Sequence, residues 1–196
     1  MVQATDSIPE KQLIVGVRAA FAAGNDPRGQ AQAIADHLRI AFAEGWPGNS
    51  ASLGDGYGAF LIHADDELGH PHAGFRIFAY RNGPQPESSQ APHDHGPCFV
   101  VYGVAKGSNI QTRYAWRYDL DTTKAPTLEK TQEILQNPGQ ASYFLPGEIH
   151  STQSSQTDET VYVRITSQDL DEVWRHRYHL EHNTSRAFIS GTSPAK

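Results

Sequence analysis

From residue 55 onward the chain is a succession of short runs rich in Val, Ile, Tyr and Phe, each cut off by Gly, Pro, Asn or Asp. Runs of that length between turn formers are too short for core helices and read as strands. Several in close succession read as a sandwich or barrel. The candidates are 57–63, 73–81, 97–105, 109–118, 140–145 and 159–166. Within 109–118 the alternation is clean: Ile110, Thr112, Tyr114, Trp116 and Tyr118 fall on one face, Gln111, Arg113, Ala115 and Arg117 on the other. Residues 97–105 are apolar on both faces, the pattern of a strand covered on both sides.

The first fifty residues are different. Residues 10–23 are rich in strong helix formers and stop at Gly24-Asn25. Residues 27–44 place Ala31, Ile34, Ala35, Leu38, Ala41 and Phe42 on one helical face, with Asp26 as N-cap, Pro27 at the first helical position and a Gly45-Trp46-Pro47-Gly48 break afterwards. The expected organisation is one domain: a helical segment over 1–50 packed on a β barrel over 51–181, with 182–196 as a tail. The proline-rich stretch 82–92 reads as a polar loop.

Charge and cysteine usage narrow the function classes. Lys+Arg 16 against Asp+Glu 22 gives a net charge of −6. That leaves no positive excess for nucleic acid or an anionic membrane surface. One cysteine excludes an internal disulfide and any Cys-rich zinc module. No apolar run reaches membrane-spanning length. The start MVQATDSIPEK lacks a basic segment followed by an apolar one, so the expectation is a soluble cytoplasmic protein.

The chemistry concentrates at His93-Asp94-His95, expected at the start of a strand. At period two both imidazoles leave the same face. A further histidine, His150, follows the Pro146-Gly147 turn, and from an adjacent strand it completes a facial three-nitrogen set. Imidazole suits iron, zinc, copper and nickel alike, so the ligands alone do not select the metal.

Around these residues the chain resembles the cupin superfamily. The first cupin motif, G(x)5HxH(x)3–4E(x)6G, is matched in frame by HDHGPCFVVYGVAKG from His93 to Gly107, with Val100 where the family has a metal-binding glutamate. The second, G(x)5PxG(x)2H(x)3N, finds Gly139, Gly147 and His150 in register, Pro146 shifted by one, and Ser154 in place of the asparagine. The resemblance implies a mainly β fold, a cupin double-stranded β-helix (jelly-roll barrel) carrying the N-terminal helical pair.

Among cupins that lose the glutamate and keep three histidines, the chain looks most like the cysteine dioxygenase-like branch. It shares the helices before the barrel, the HDH run and the Gly-x-x-His turn. The resemblance implies Fe(II) on His93, His95 and His150, with Zn, Ni or Mn as the other ions to consider, and a small-molecule substrate oxidised with O2. Three neutral ligands leave the site net positive, which favours an anionic donor such as a thiolate or enolate. Two features of that branch are missing. Its Ser-x-His-x-Tyr stretch is replaced by Tyr162-Val163-Arg164-Ile165-Thr166, and its early-strand arginine has no counterpart in 57–63.

Arg164 and Arg113 are therefore the candidate anchors for a substrate carboxylate, and Val100, Tyr102 and Tyr143 the candidate pocket walls, with Trp116 as a further aromatic. Tyr162 and Cys98 complete the catalytic candidates, Cys98 being expected to face inward beside Val100 and Tyr102 or to serve simply as a small buried residue. Asp94 is expected on the opposite face, toward solvent or, as the less favoured reading, supporting the ligands from behind. The ligand-rich run 63–72 reads as a solvated loop, and His176, His179 and His182 as part of a charged surface segment. Two other functions remain open: a metal-dependent lyase or isomerase on the same barrel, and a non-catalytic binding cupin. Cupin barrels often pair, so a homodimer is an expectation carried by the resemblance.

Overall fold

A computed structural model describes residues 8–24, 26–48, 52–84, 90–121 and 123–189. Much of the loop expected over 82–92, the Asn25 half of the expected helix stop, and the last residues of the expected tail lie outside the described residues.

Among the described residues two helices come first, α1 (Ile8–Ala22) and α2 (Pro27–Ala43). The Asp26 side chain accepts from the N–H groups of Arg28 (3.2 Å) and Gly29 (3.0 Å), and Pro27 begins α2, as its sequence demands. Ten strands follow among the described residues: β1 (Gly58–Ala64), β2 (Arg76–Asn82), β3 (Val100–Lys106), β4 (Asn109–Arg117), β5 (Thr127–Gln136), β6 (Ala141–Phe144), β7 (Ile149–Ser154), β8 (Thr160–Thr166), β9 (Arg175–His179) and β10 (Thr184–Phe188). The first sheet has the order β1-β2-β8-β3-β6. The second contains β5-β4-β7, and the β9–β10 ribbon joins it through His93, which bridges His150 on one side and Arg177 on the other.

The pairings between named strands are antiparallel. The chain crosses from one sheet to the other after β3, β5, β6, β7 and β8, and this alternation makes the expected double-stranded β-helix. Neither helix is long and apolar enough to cross a membrane.

The five-stranded sheet buries both faces. Its outer face presents Ile77, Ala79, Phe99, Val101, Val163 and Ile165 to the helical pair. Contact is closest at Gly103, where a Cβ would stand 2.6 Å from the Phe42 ring and 2.7 Å from Leu38, so only glycine lets α2 settle there. On α1, Arg18 pairs with Asp65 and with Glu67 (2.7 Å) of the loop after β1. Burial works against the Asp65 charge. The N–H groups of Glu67 and Leu68, with His63 and Arg18, outweigh it and hold the carboxyl below the usual carboxylate range. The run 63–72 is thus partly a docking element for α1: Asp66 and Glu67 are solvated, but Asp65 is buried.

Three elements differ from the sequence expectation. β5 has no apolar period because it is a solvated strand, paired among the described residues to β4 alone along its length. The segment expected as a tail contains β10, which pairs with β9 from Thr184↔His179 to Phe188↔Arg175. The His93-His95 segment does not begin β3. It lies in the opposite sheet, and a turn at Gly96-Pro97 carries the chain across. Gly96 has φ 58° and packs so closely that a Cβ would stand 2.4 Å from the Trp174 carbonyl oxygen.

Candidate metal centre

Strand parity sets what faces the barrel interior. On the first sheet Val100 lies opposite Thr166 and Phe144, and Tyr102 lies opposite Arg164 and Ser142. Tyr80 and Tyr162 are partners with rings stacked 4.7 Å apart. Across the interior, His150 is level with Arg113, and Thr152 with Gln111. The sheets meet where the Phe144 ring stacks on His150 at 3.8 Å and the Tyr102 ring approaches it at 5.4 Å.

His93, His95 and His150 converge in this interior and are 7%, 2% and 0% exposed. One ligand atom from each lies within 4.8 Å of the others. His150 Nδ1 is 3.1 Å from Gln111 Oε1, and His93 Nδ1 is 3.0 Å from the Ala91 carbonyl oxygen. Both partners are acceptors, so each Nδ1 carries its proton and each Nε2 presents a bare lone pair. The Gln111 amide is oriented in turn by Thr152 Oγ1, which donates to Oε1 (2.9 Å), and by Asn109 Oδ1, which accepts from Nε2 (3.1 Å).

His95 Nε2 stands 3.0 Å from His150 Nε2. That separation suits two nitrogens each about 2.1 Å from one shared ion at right angles. Burial, opposed by the bond to Ala91 and reinforced by the charges of Arg175, Arg164 and Arg177, lowers the His93 pKa to about 4. Burial also puts His95 and His150 well below the usual imidazole range. Three neutral imidazoles, two of them with the tautomer fixed by an acceptor on Nδ1, converge in a way that fits a metal cation, and those acceptors are of the kind that orient metal-bound histidine.

The other candidates divide between the interior and elsewhere. Val100 is buried on the inner wall and offers only carbon where a carboxylate ligand would stand. Tyr102 and Tyr162 share that wall. Burial pushes the Tyr102 hydroxyl up to about 12 and the Tyr162 hydroxyl higher still, so both keep their protons. Arg164 leaves the same face, its guanidinium 5.2 Å from the Tyr80 ring and 5.3 Å from that of Phe78, and its charge is felt by all three imidazoles.

Arg113 also points inward, 4.4 Å over the Phe144 ring. It is paired with Glu148 (2.8 Å) and donates to the Tyr143 carbonyl (2.7 Å). The Tyr143 side chain is not brought to the site: it packs with the helix-facing cluster, and its neighbours Ser142 and Phe144 face inward instead. Cys98 keeps the parity of Val100 but lies beyond the end of β3, in a cluster with Leu170 and Val173. Burial raises its thiol to about 11, the state of an inert packing residue. Trp116 is half-exposed and meets Tyr178 edge to face at 5.7 Å, away from the histidines.

Three residues of the site were not anticipated, Gln111, Phe144 and Arg175, and Asp94 takes the less favoured of its two expected places. For Gln111 a signal existed, since Asn109, Gln111 and Arg113 alternate on one face of a strand next to His150. Asp94 is 5% exposed, and its carboxylate accepts hydrogen bonds from the neighbouring ribbon. Its solvent-facing assignment fails because β9 covers it. Arg175 is likewise buried, whereas His176, His179 and His182 are exposed as expected.

No protein-family model and no curated protein matches the chain. Similar solved structures include an uncharacterised conserved protein with a double-stranded β-helix domain from Klebsiella pneumoniae. It is 13% identical over 59% of this chain and 75% of that one, with a TM-score of 0.37. A cupin protein from Bacteroides fragilis is 13% identical over 62% of this chain and 84% of that one, TM-score 0.40. An oxalate oxidase solved with the substrate analogue glycolate is 14% identical over 57% of this chain, TM-score 0.37; the chain spans about half of it, 52%.

Proposed function

We propose that the protein is a mononuclear metal-dependent oxygenase of the cysteine dioxygenase-like kind, with Fe(II) as the resident ion, acting on a small anionic thiol or similar chelating substrate. The observation that carries this reading is the convergence of three neutral imidazoles, with the tautomers of His93 and His150 fixed by Ala91 and Gln111, in an interior that Arg164 faces from the opposite sheet.

Iron held by His93, His95 and His150 would supply the one-electron chemistry that oxygen activation requires. The chain's own residues do the rest. The neutral ligand set leaves the ion's charge uncompensated, so an anionic donor is favoured over a neutral one. Arg164 offers a planar fork to a carboxylate, which fixes the substrate's distance from the histidines. Tyr102 and Tyr162 stay protonated at neutral pH and act as hydroxyl donors, not bases. Val100, Phe144 and Tyr80 supply apolar walls that keep bulk water from the reacting atoms. For a thiolate the balance is RS⁻ + O2 → RSO2⁻: both oxygen atoms pass to sulfur, which gives up four electrons, and no external reductant enters.

The test is elemental analysis of protein purified anaerobically without chelators, followed by O2 uptake across a panel of small thiols and carboxylates. Near-stoichiometric iron and substrate-dependent O2 consumption, both lost in His93→Ala, His95→Ala and His150→Ala, are expected. Zinc, nickel or manganese with turnover in the absence of O2 would replace this reading with lyase or isomerase chemistry. Ligand binding without product under any gas would leave a binding barrel.

A further inference from the structure

Asp94 sits between two of the converging histidines, yet its side chain leaves the opposite face of the segment. An aspartate there needs only water, but this one is buried and gathers the donors around it. Its Oδ1 accepts from the N–H groups of Gly96 (2.9 Å) and His176 (3.1 Å). Its Oδ2 accepts from the Tyr178 hydroxyl (2.7 Å) and faces His176 Nδ1 at 3.2 Å. Burial, together with the carboxylate beside it, holds the Tyr178 proton on oxygen. The backbones are joined here as well: Asp94 N–H donates to the His176 carbonyl (3.1 Å) and Tyr178 N–H to the Pro92 carbonyl (2.8 Å).

The carboxylate reaches beyond its own segment. Gly96, whose N–H it holds, accepts through its carbonyl from the N–H of Gly147 (3.0 Å), in the turn that leads to His150. On β9, the residue just before His176 is Arg175. It projects from the other face of the strand and is 5% exposed, with its charge felt by His93 and His95.

Register is the quantity at stake. β9 reads Arg-His-Arg-Tyr-His, with no apolar alternation to specify which face turns inward, and among the described residues only the short β10 lies beyond it. A slip of one residue would turn Arg175 out and His176 in. Backbone bonds alone are indifferent to that choice. A carboxylate that grips both His176 and Tyr178 is not.

We propose that Asp94 is a positioning residue: by clasping Gly96, His176 and Tyr178 it fixes the register of β9 on the His93–His95 segment, and so holds two imidazoles and the Arg175 guanidinium in one constant arrangement. This rests on the reading of the three histidines as a metal centre, but its structural half can be measured without a metal.

The experiment compares the full chain with Asp94→Ala, Asp94→Asn and Tyr178→Phe. Amide exchange is followed on metal-free protein, and Co(II) uptake by titration of its visible absorption. In Asp94→Ala, exchange at 92–96 and 175–188 accelerates at least tenfold with α1, α2 and β3 unchanged, while Co(II) affinity falls roughly 10- to 100-fold and the band positions shift. Tyr178→Phe, which removes one donor to Asp94 Oδ2 and leaves the three ligand histidines in place, shows the same pattern at a few-fold. Asp94→Asn keeps an acceptor for the two backbone N–H groups and recovers part of the affinity.

The proposal is overturned if Asp94→Ala and Tyr178→Phe keep the parent's exchange, affinity and spectrum, or if they lose protection uniformly along the chain. Should Asp94→Ala not fold, Tyr178→Phe decides alone. If the parent itself takes up no Co(II) that His150→Ala abolishes, the metal reading fails. The exchange arm then still decides the clasp: faster exchange confined to 92–96 and 175–188 upholds it, and anything else overturns it.

Discussion

The two faces of the five-stranded sheet are made by alternate residues of the same strands, and they could hardly differ more. Outward from β2, β3 and β8 go Ile77, Ala79, Phe99, Val101, Val163 and Ile165, a surface of carbon pressed against α1 and α2. Inward go Tyr80, Val100, Tyr102, Tyr162 and Arg164, facing a second sheet lined with Asn109, Gln111, Gln136 and the histidines. Val100, Tyr102 and Tyr162 are almost as deeply buried as the outer residues, but burial there has a different meaning. On the outer face it contributes transfer free energy, about 25 cal/mol per Å² of apolar surface removed from water. On the inner face every buried polar group carries a desolvation cost that hydrogen bonds or a ligand must offset. One side of the sheet is packed with carbon alone, and the other mixes apolar side chains with polar groups around the three histidines.

The sharpest separation comes from one substitution on each face. His150→Ala is expected to abolish stoichiometric metal and to lower any O2-dependent turnover more than about 100-fold, beyond the range known for outer-sphere partners alone. The fold survives, because the deleted ring touches Phe144 and Gln111 and not the helical layer. Metal analysis beside a thermal melt checks both halves. Phe99→Ala does the reverse. Its ring is fully buried and lies 5.8 Å from that of Phe21, so truncation costs about 3–5 kcal/mol, read by denaturant titration, while the molecules still folded keep the parent's metal stoichiometry. If Phe99→Ala lost metal without losing stability, the two faces would not be independent.

Acid divides the same regions by pH. In metal-free protein, His93 has its folded pKa lowered to about 4 by burial, against about 6.5 in the unfolded chain. The unfolded state therefore binds more protons between those values, and stability falls as pH falls. The contribution is complete above pH about 6.5 and is lost on the way to pH 4, at about 1.4 kcal/mol per pH unit for one proton. His95 and His150 are shifted in the same direction and steepen the loss. Asp65, on the helix-docking side, is held below the carboxylate range, so its contribution is lost only below pH about 4. Melting midpoints of chelated protein should decline between pH 6.5 and 4.5, and His93→Gln should flatten that slope. A flat profile down to pH 4.5 would mean the imidazoles are not desolvated.

How far each face can be read in the sequence follows from the same contrast. The outer face is legible: Ala31, Ile34, Ala35 and Leu38 keep helical spacing, Asp26-Pro27 marks its start, and 97–105 is apolar throughout, because local pattern and tertiary burial agree there. The histidines are legible because the spacing of His93 and His95, and the glycine turn before His150, are local geometry. What escapes is set by distant partners. Nothing in Arg-His-Arg-Tyr-His says that Asp94, more than eighty residues earlier, will hold that strand against the barrel. The short β6 is the other weak point. Its parity is ambiguous, and Tyr143 and Phe144 exchange the places a reader would give them.

The smallest test concerns the helical layer alone. Asp26→Ala removes the acceptor for the N–H groups of Arg28 and Gly29 and costs about 1 kcal/mol. The cap is exposed, and no cavity forms, so the loss comes only from two amides returned to water at the start of α2. Because α2 rests on the outer face at Gly103, the effect has the whole sheet to cross before it can reach Tyr102 and His150. A small drop in the denaturation midpoint with unchanged metal affinity is the expected result. If metal affinity fell in proportion, the helices would be tuning the inner wall through the shared strands, and the sheet would transmit strain between its faces instead of separating them.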